Sequence, residues 1–123
     1  MAVPLQITVT DMTPSAALES RIRGRLAGLE KIYPRISSFR VSVGASHHHQ
    51  HGDRFVLKLD VRLPGMEIIV TRDHQEDPYI ALREAVDAAR RQLREHAKRE
   101  QGADKSRRGT QLAVAPDEAQ AGG

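Results

Sequence analysis

Apolar and polar residues alternate in four stretches of this chain and recur at helical spacing in two more. Leu5, Ile7 and Val9 alternate with Gln6, Thr8 and Thr10, the pattern of a half-buried strand. Thr13-Pro14-Ser15 then opens a helix, with Thr13 or Ser15 as its cap. Leu18, Ile22, Leu26, Leu29 and Tyr33 form its apolar stripe, and Pro34 ends it. Gly24 and Gly28 fall inside this helix, each costing roughly 1 kcal/mol relative to Ala. A close neighbour would explain them. Phe39, Val41, Val43 and Ala45 mark a second strand. Phe55, Leu57, Leu59, Val61 and Leu63 mark a third. Pro64-Gly65 suits a type II turn into a fourth strand, Met66, Ile68 and Val70. The segment RDHQED reads as a link into a long second helix over 77–100. Asp77 caps that helix and Pro78 fits its first position. Tyr79, Leu82, Val86, Ala89, Leu93 and Ala97 make its apolar stripe, and Gly102 stands where a stop is expected.

The order is β-α-β-β-β-α, an α+β fold. Each strand has one apolar face and each helix one apolar stripe. Both helices are therefore expected on one face of a four-stranded sheet, with strands two to four as an antiparallel meander. The other face would carry Gln6, Thr8, Arg40, Ser42, Lys58, Asp60 and Arg62 and meet water. Residues 1–100 make one domain. Residues 101–123, rich in Gly, Ala, Gln and charge, read as a disordered tail.

Charge adds a second theme. Beside the long helix's apolar stripe lie Arg83, Arg90, Arg94 and Lys98, with Arg91 further round. Arg21 and Arg25 lie one turn apart on the first helix. Such a face attracts anions, or is solvated and balanced by Glu84, Asp87 and Glu95. Net charge is +3 and the pI about 9.7, a mild pull toward polyanions. Two Tyr, two Phe and no Trp leave no stacking platform for single strands. No segment has the length and apolarity of a membrane span or the pattern of a signal peptide, so a cytoplasmic protein without a membrane partner is expected.

Catalytic chemistry finds no foothold. There is no Cys, and the serines lack a nucleophile-elbow pattern. Asp73, His74, Glu76 and Asp77 are neighbours in one helix-entry segment, with no nucleophile beside them. His47, His48, His49 and His51 have metal-binding side chains. Structural metal sites usually draw ligands from separated segments, and these four share one link, so a solvated loop without metal is expected. The reading is a non-enzyme with no cofactor and no small-molecule substrate. Its His96 reads as a packed histidine at the edge of the stripe.

The segments LQITVTDM, RLAGLEKIYPRI, HHHQHGDRF, VRLPGMEIIV and DPYIALREAVDAARRQLREHAKR together resemble the ribosome hibernation-promoting factor and ribosome-associated inhibitor family, also known as sigma-54 modulation proteins. LEKIYPRI and DPYIALREAVDAARRQL look like that family's two helix signatures. The resemblance covers nearly all of residues 4–100. It implies the fold already derived, with the small ribosomal subunit and its rRNA as partners. It further implies blocking of mRNA and transfer RNA occupancy under stress, by a protein that is monomeric off the ribosome. Arg25 and Lys31 stand where the family has basic residues on its first helix, as do Arg91, Arg94, Lys98 and Arg99 on its second. Gly28, Ala88, Glu95 and Ala97 stand where Lys or Arg would be expected, and Arg21, Arg23, Arg83 and Arg90 would compensate. A stand-alone double-stranded-RNA module and a metal-binding protein built on the histidine loop are the alternatives.

Overall fold

The computed structural model describes residues 3–46 and 54–113. The elements run β1 (Leu5–Thr10), α1 (Ala16–Ile32), β2 (Ser38–Ser46), β3 (Arg54–Leu63), β4 (Met66–Gln75) and α2 (Pro78–Ala113). The sheet order is β1-β2-β3-β4. β1 pairs parallel with β2, and β2, β3 and β4 form the expected antiparallel meander. The β-α-β-β-β-α order and the four-stranded sheet agree with the pattern of the sequence.

Local chemistry starts each helix. The Ser15 side chain accepts from the Leu18 backbone N–H at 3.2 Å, which makes Ser15 the cap of α1. Asp77 Oδ1 accepts from the N–H groups of Tyr79 and Ile80 at 2.9 and 3.3 Å, leaving Pro78 at the first helical position. Gly65 takes φ +78°, the left-handed conformation that the turn after Leu63 requires.

One core forms between the helices and the sheet. From α1 it takes Leu18, Ile22, Leu26 and Leu29; from α2 Leu82, Val86, Ala89 and Leu93; from the strands Phe39, Val41, Val43, Leu57, Leu59 and Val61. Ala81, Ala85 and Ala88 are buried as well, so the apolar stripe of α2 is wider than its large residues suggest. The small side chains let the helix lie close to the sheet. A cation at position 88 would lose its hydration, so the buried Ala88 is no place for a basic residue in this chain.

Four expectations change. Tyr79 is 36% exposed, because it lies in the first turn of α2, with the Arg21 guanidinium 5.5 Å above its ring. β4 does not end at Val70 but continues to Gln75, since β3 begins at Arg54 and offers a partner to every residue. An Arg54–Asp73 ion pair at 2.8 Å ties the extension. Asp60 does not meet water freely; it is 9% exposed. Finally, α2 does not stop at Gly102 but runs on to Ala113, so residues 101–113 are helical rather than a coil tail. Gly102 lacks the positive φ of a helix-ending glycine. A mid-helix Gly weakens a helix by about 1 kcal/mol but does not break it, and no proline follows before Pro116.

The two glycines of α1 have no close neighbour. A Cβ built on Gly24 or Gly28 would meet nothing within 4 Å. Gly24→Ala and Gly28→Ala are each expected to raise stability by roughly 0.5–1 kcal/mol by narrowing the unfolded ensemble. Urea midpoints measure this, and a fall in either would mean that the helix needs the bare position.

Candidate nucleic-acid interface

Two contacts set the helix pair side by side and parallel. At one end Arg21 of α1 lies over Tyr79 of α2. At the other, the Tyr33 hydroxyl, just past α1, donates to Glu100 Oε1 at 2.6 Å. Arg35 donates to the other oxygen of Glu100 at 3.0 Å, and the His96 ring packs on Tyr33 with centroids 5.6 Å apart. His96 is thus the packed histidine that its place at the stripe's edge suggests, 3.6 Å from Glu100.

The Tyr33 hydrogen bond, then the charges of His96 and Arg35, hold the Glu100 carboxyl below its ordinary range. Burial, then the Glu100 hydrogen bond, pushes the Tyr33 hydroxyl up. A depressed carboxyl contributes stability above its unfolded pKa that is lost as pH falls through the folded one. A raised tyrosine contributes stability that is lost as pH rises past its ordinary value of about 10. Tyr33→Phe should therefore lower the urea midpoint at pH 7 and flatten its dependence at both extremes. An unchanged profile would show that the clamp carries no linkage.

These contacts also place the cations. Arg83, Arg90 and Arg94 follow Tyr79 along α2 at steps of four, seven and four residues, so they share its side, the side that meets Arg21. Arg21 and Arg25 border a shallow depression on α1 with Ala17, Ser20 and Gly24. Arg90, Arg91, Arg94 and Lys98 border a second on α2, with Asp87 and Glu95. Lys31 is exposed in the last turn of α1, where a cation suits the helix dipole.

The cations are not equally available. Arg90 is held by Asp87 at 3.0 Å, and Arg99 lies 3.6 Å from Glu95. Among the described residues Arg91, Arg94 and Lys98 are exposed and make no ion pair, and the same is true of Arg83. Three unpaired cations at positions 91, 94 and 98 stand on the outer face of α2, opposite Leu93 and Ala89. A row of this kind fits a run of phosphates better than a single acidic group.

His47, His48, His49 and His51 lie outside the described residues. Elsewhere no group of three metal-binding side chains comes together among the described residues. No described helix is long and apolar enough to cross a membrane. Two features escaped the sequence reading. The Tyr33–Glu100–Arg35 clamp joins residues 67 apart, and only position 33 carried a signal, as the last member of the apolar stripe. The other is a groove of about 230 Å³ on the helix-free face, lined by Gln6, Thr8, Arg40, Val41, Ser42, Lys58 and Asp60. Strand alternation identifies that face, but not the burial of Asp60 within it.

Among known structures, the fold is similar to a ribosomal subunit interface protein from Coxiella burnetii, with a TM-score of 0.66 at 18% identity over 77% of this chain and 98% of that one. It is similar also to the N-terminal domain of Protein Y from Thermus thermophilus, with a TM-score of 0.61 at 20% identity over 76% and 99%. No curated protein sequence matches the chain significantly. Residues 5–101, from the first residue of β1 to just past the Glu100 clamp, match the family model described as sigma 54 modulation protein / S30EA ribosomal protein. The chain therefore belongs to the sigma 54 modulation protein / S30EA ribosomal protein family.

Proposed function

We propose that this protein binds the small ribosomal subunit through its helix pair and blocks the space that mRNA and transfer RNA would occupy. The observation that carries the reading is the unpaired row of Arg91, Arg94 and Lys98 on the outer face of α2. Arg21, Arg25, Lys31, Arg83, Arg90 and Arg99 extend the cationic surface along both helices. Family membership supports the choice of the ribosome, as does the description of the Coxiella burnetii neighbour as a ribosomal subunit interface protein. The protein acts by occupancy. Its cations displace counterions from rRNA phosphate, and its body excludes other ligands, with no bond made or broken. It is a monomer away from the ribosome and resides with ribosomes in the cytoplasm.

Sedimentation of extracts from growing and starved cells through a sucrose gradient tests this. The protein is expected with the small subunit and with whole ribosomes, most strongly after starvation, and it should be released as salt rises. Recovery only in the free fractions would sink the reading. Equal binding to any RNA duplex would favour a general double-stranded-RNA module instead.

A further inference from the structure

On the face of the sheet that the helices leave open, strand register sets the polar residues in rows. Gln6 pairs with Arg40, and Arg40 with Asp60; Thr8 pairs with Ser42, and Ser42 with Lys58. These six residues and Val41 line the groove of about 230 Å³. Asp60 is the sole buried charged residue among those described. Its Oδ2 lies 3.9 Å from Arg62, and its Oδ1 is buried with no hydrogen-bond partner. Arg40 and Lys58 make no ion pair among the described residues. The groove thus holds two unpaired cations and one unsatisfied carboxylate oxygen side by side. A simple anion would answer the cations and be repelled by Asp60. A simple cation would answer Asp60 and be repelled by Arg40 and Lys58.

We propose that this groove binds one guanosine nucleotide of a single-stranded RNA segment, on the side of the protein away from the helices. Phosphate lies on Arg40 and Lys58, with Thr8 and Ser42 as further donors. The guanine edge donates its two adjacent N–H groups to the carboxylate of Asp60. Among the common bases only guanine places two donors together there; uracil has one, and cytosine and adenine set an acceptor beside theirs, facing a carboxylate oxygen. Arg40 is exposed and is the cross-strand partner of Asp60, and the proposed pose requires it to turn toward phosphate so that the guanine edge reaches the buried Oδ1. The charge pattern favours a strand over a free nucleotide, because the groove is open and its cations lie on the exposed side chains of adjoining strands. With no aromatic residue in the groove, recognition rests on charge and hydrogen bonds.

The proposal is independent of ribosome binding by the helices. The test follows backbone amide shifts of the full chain with a single-stranded RNA heptamer of cytidines carrying one central guanosine, an all-cytidine heptamer, and free guanosine monophosphate. Shifts at Gln6, Thr8, Ser42, Lys58 and Asp60 are expected with the guanosine heptamer at about tenfold lower concentration than with the all-cytidine strand. Asp60→Asn, which removes a buried charge and should keep the fold, is expected to abolish that preference. Lys58→Ala is expected to weaken both heptamers alike. Arg91→Glu with Arg94→Glu should leave the groove shifts in place, which separates this site from the helix face. Equal affinity for the two heptamers, absence of shifts in the groove, or a preference retained in Asp60→Asn would each overturn the proposal. Free guanosine monophosphate binding more tightly than the heptamer would overturn the assignment to an RNA strand.

Discussion

Leu93→Ala is expected to cost about 2–5 kcal/mol of folding stability. Leu93 is fully buried on α2, in the core shared by both helices and the sheet. Removing its side chain loses the transfer energy of its buried atoms and leaves a cavity. The surroundings cannot close it easily. The strand β3 in this core is hydrogen-bonded on both sides, and the Tyr33–Glu100 hydrogen bond fixes α2 a little further along. A small domain has only about 5–15 kcal/mol in total, so this one truncation removes a large share. Urea unfolding of the wild type and the variant measures the difference. A loss under about 1 kcal/mol would mean that this part of α2 is not docked as described. The folded fraction should still sediment with ribosomes, since Leu93 faces away from the cations.

The fold was legible because its signals were periodic and local. Alternation in Phe39–Ala45 and Phe55–Leu63 identified core strands: Phe39, Val41, Val43, Ala45, Leu57, Leu59, Val61 and Leu63 are buried and Phe55 is half-buried. Ser15, Asp77 and Gly65 each do what a cap or turn residue of that type can do. What failed was the reading of where elements end. The end of β4 depends on the length of β3 beside it, and pairing with Val56, Phe55 and Arg54 overrides the weak strand propensity of Asp73, His74 and Gln75. The run of α2 past Gly102 is a case of a rule with two outcomes, because a glycine ends a helix only when it turns left-handed. At the candidate site, the sequence showed which residues are basic and on which helix. Partners were harder to see. The Asp87–Arg90 pair has the spacing of neighbours on a helix, yet nothing local says that Asp87 takes Arg90 while Arg91, at the equally favourable i+4 position, stays free. Asp60 was misplaced for a related reason. Alternation assigns a face, but burial there depends on the long side chains of neighbouring strands.

Reversing two charges on α2 should separate binding from folding. Arg91 and Arg94 are exposed, make no ion pair among the described residues and lie off the buried stripe. Arg91→Glu with Arg94→Glu is expected to abolish association with the small subunit in a sucrose gradient. Each reversal removes one positive charge and adds one negative charge, so the two together take the net charge from +3 to −1. Both changes fall in the row that would lie nearest rRNA phosphate, so attraction there becomes repulsion. Each phosphate left without its cation should also flatten the salt dependence of any residual binding by somewhat under one unit of log–log slope. Stability should fall by no more than about 1 kcal/mol, because neither side chain packs against the core and the cost is confined to the exposed like-charge pairs that a glutamate at position 91 would make with Asp87, Glu95 and position 94. The control is Arg90→Glu, whose wild-type side chain is held by Asp87 at 3.0 Å. Arg90→Glu breaks that ion pair as well as adding an acid beside Asp87, so it should lower stability along with binding, whereas the double variant breaks no ion pair among the described residues. Ribosome association that survives the double reversal would move the interface off this face of α2. A loss of stability matching the loss of binding would mean that the row serves the fold.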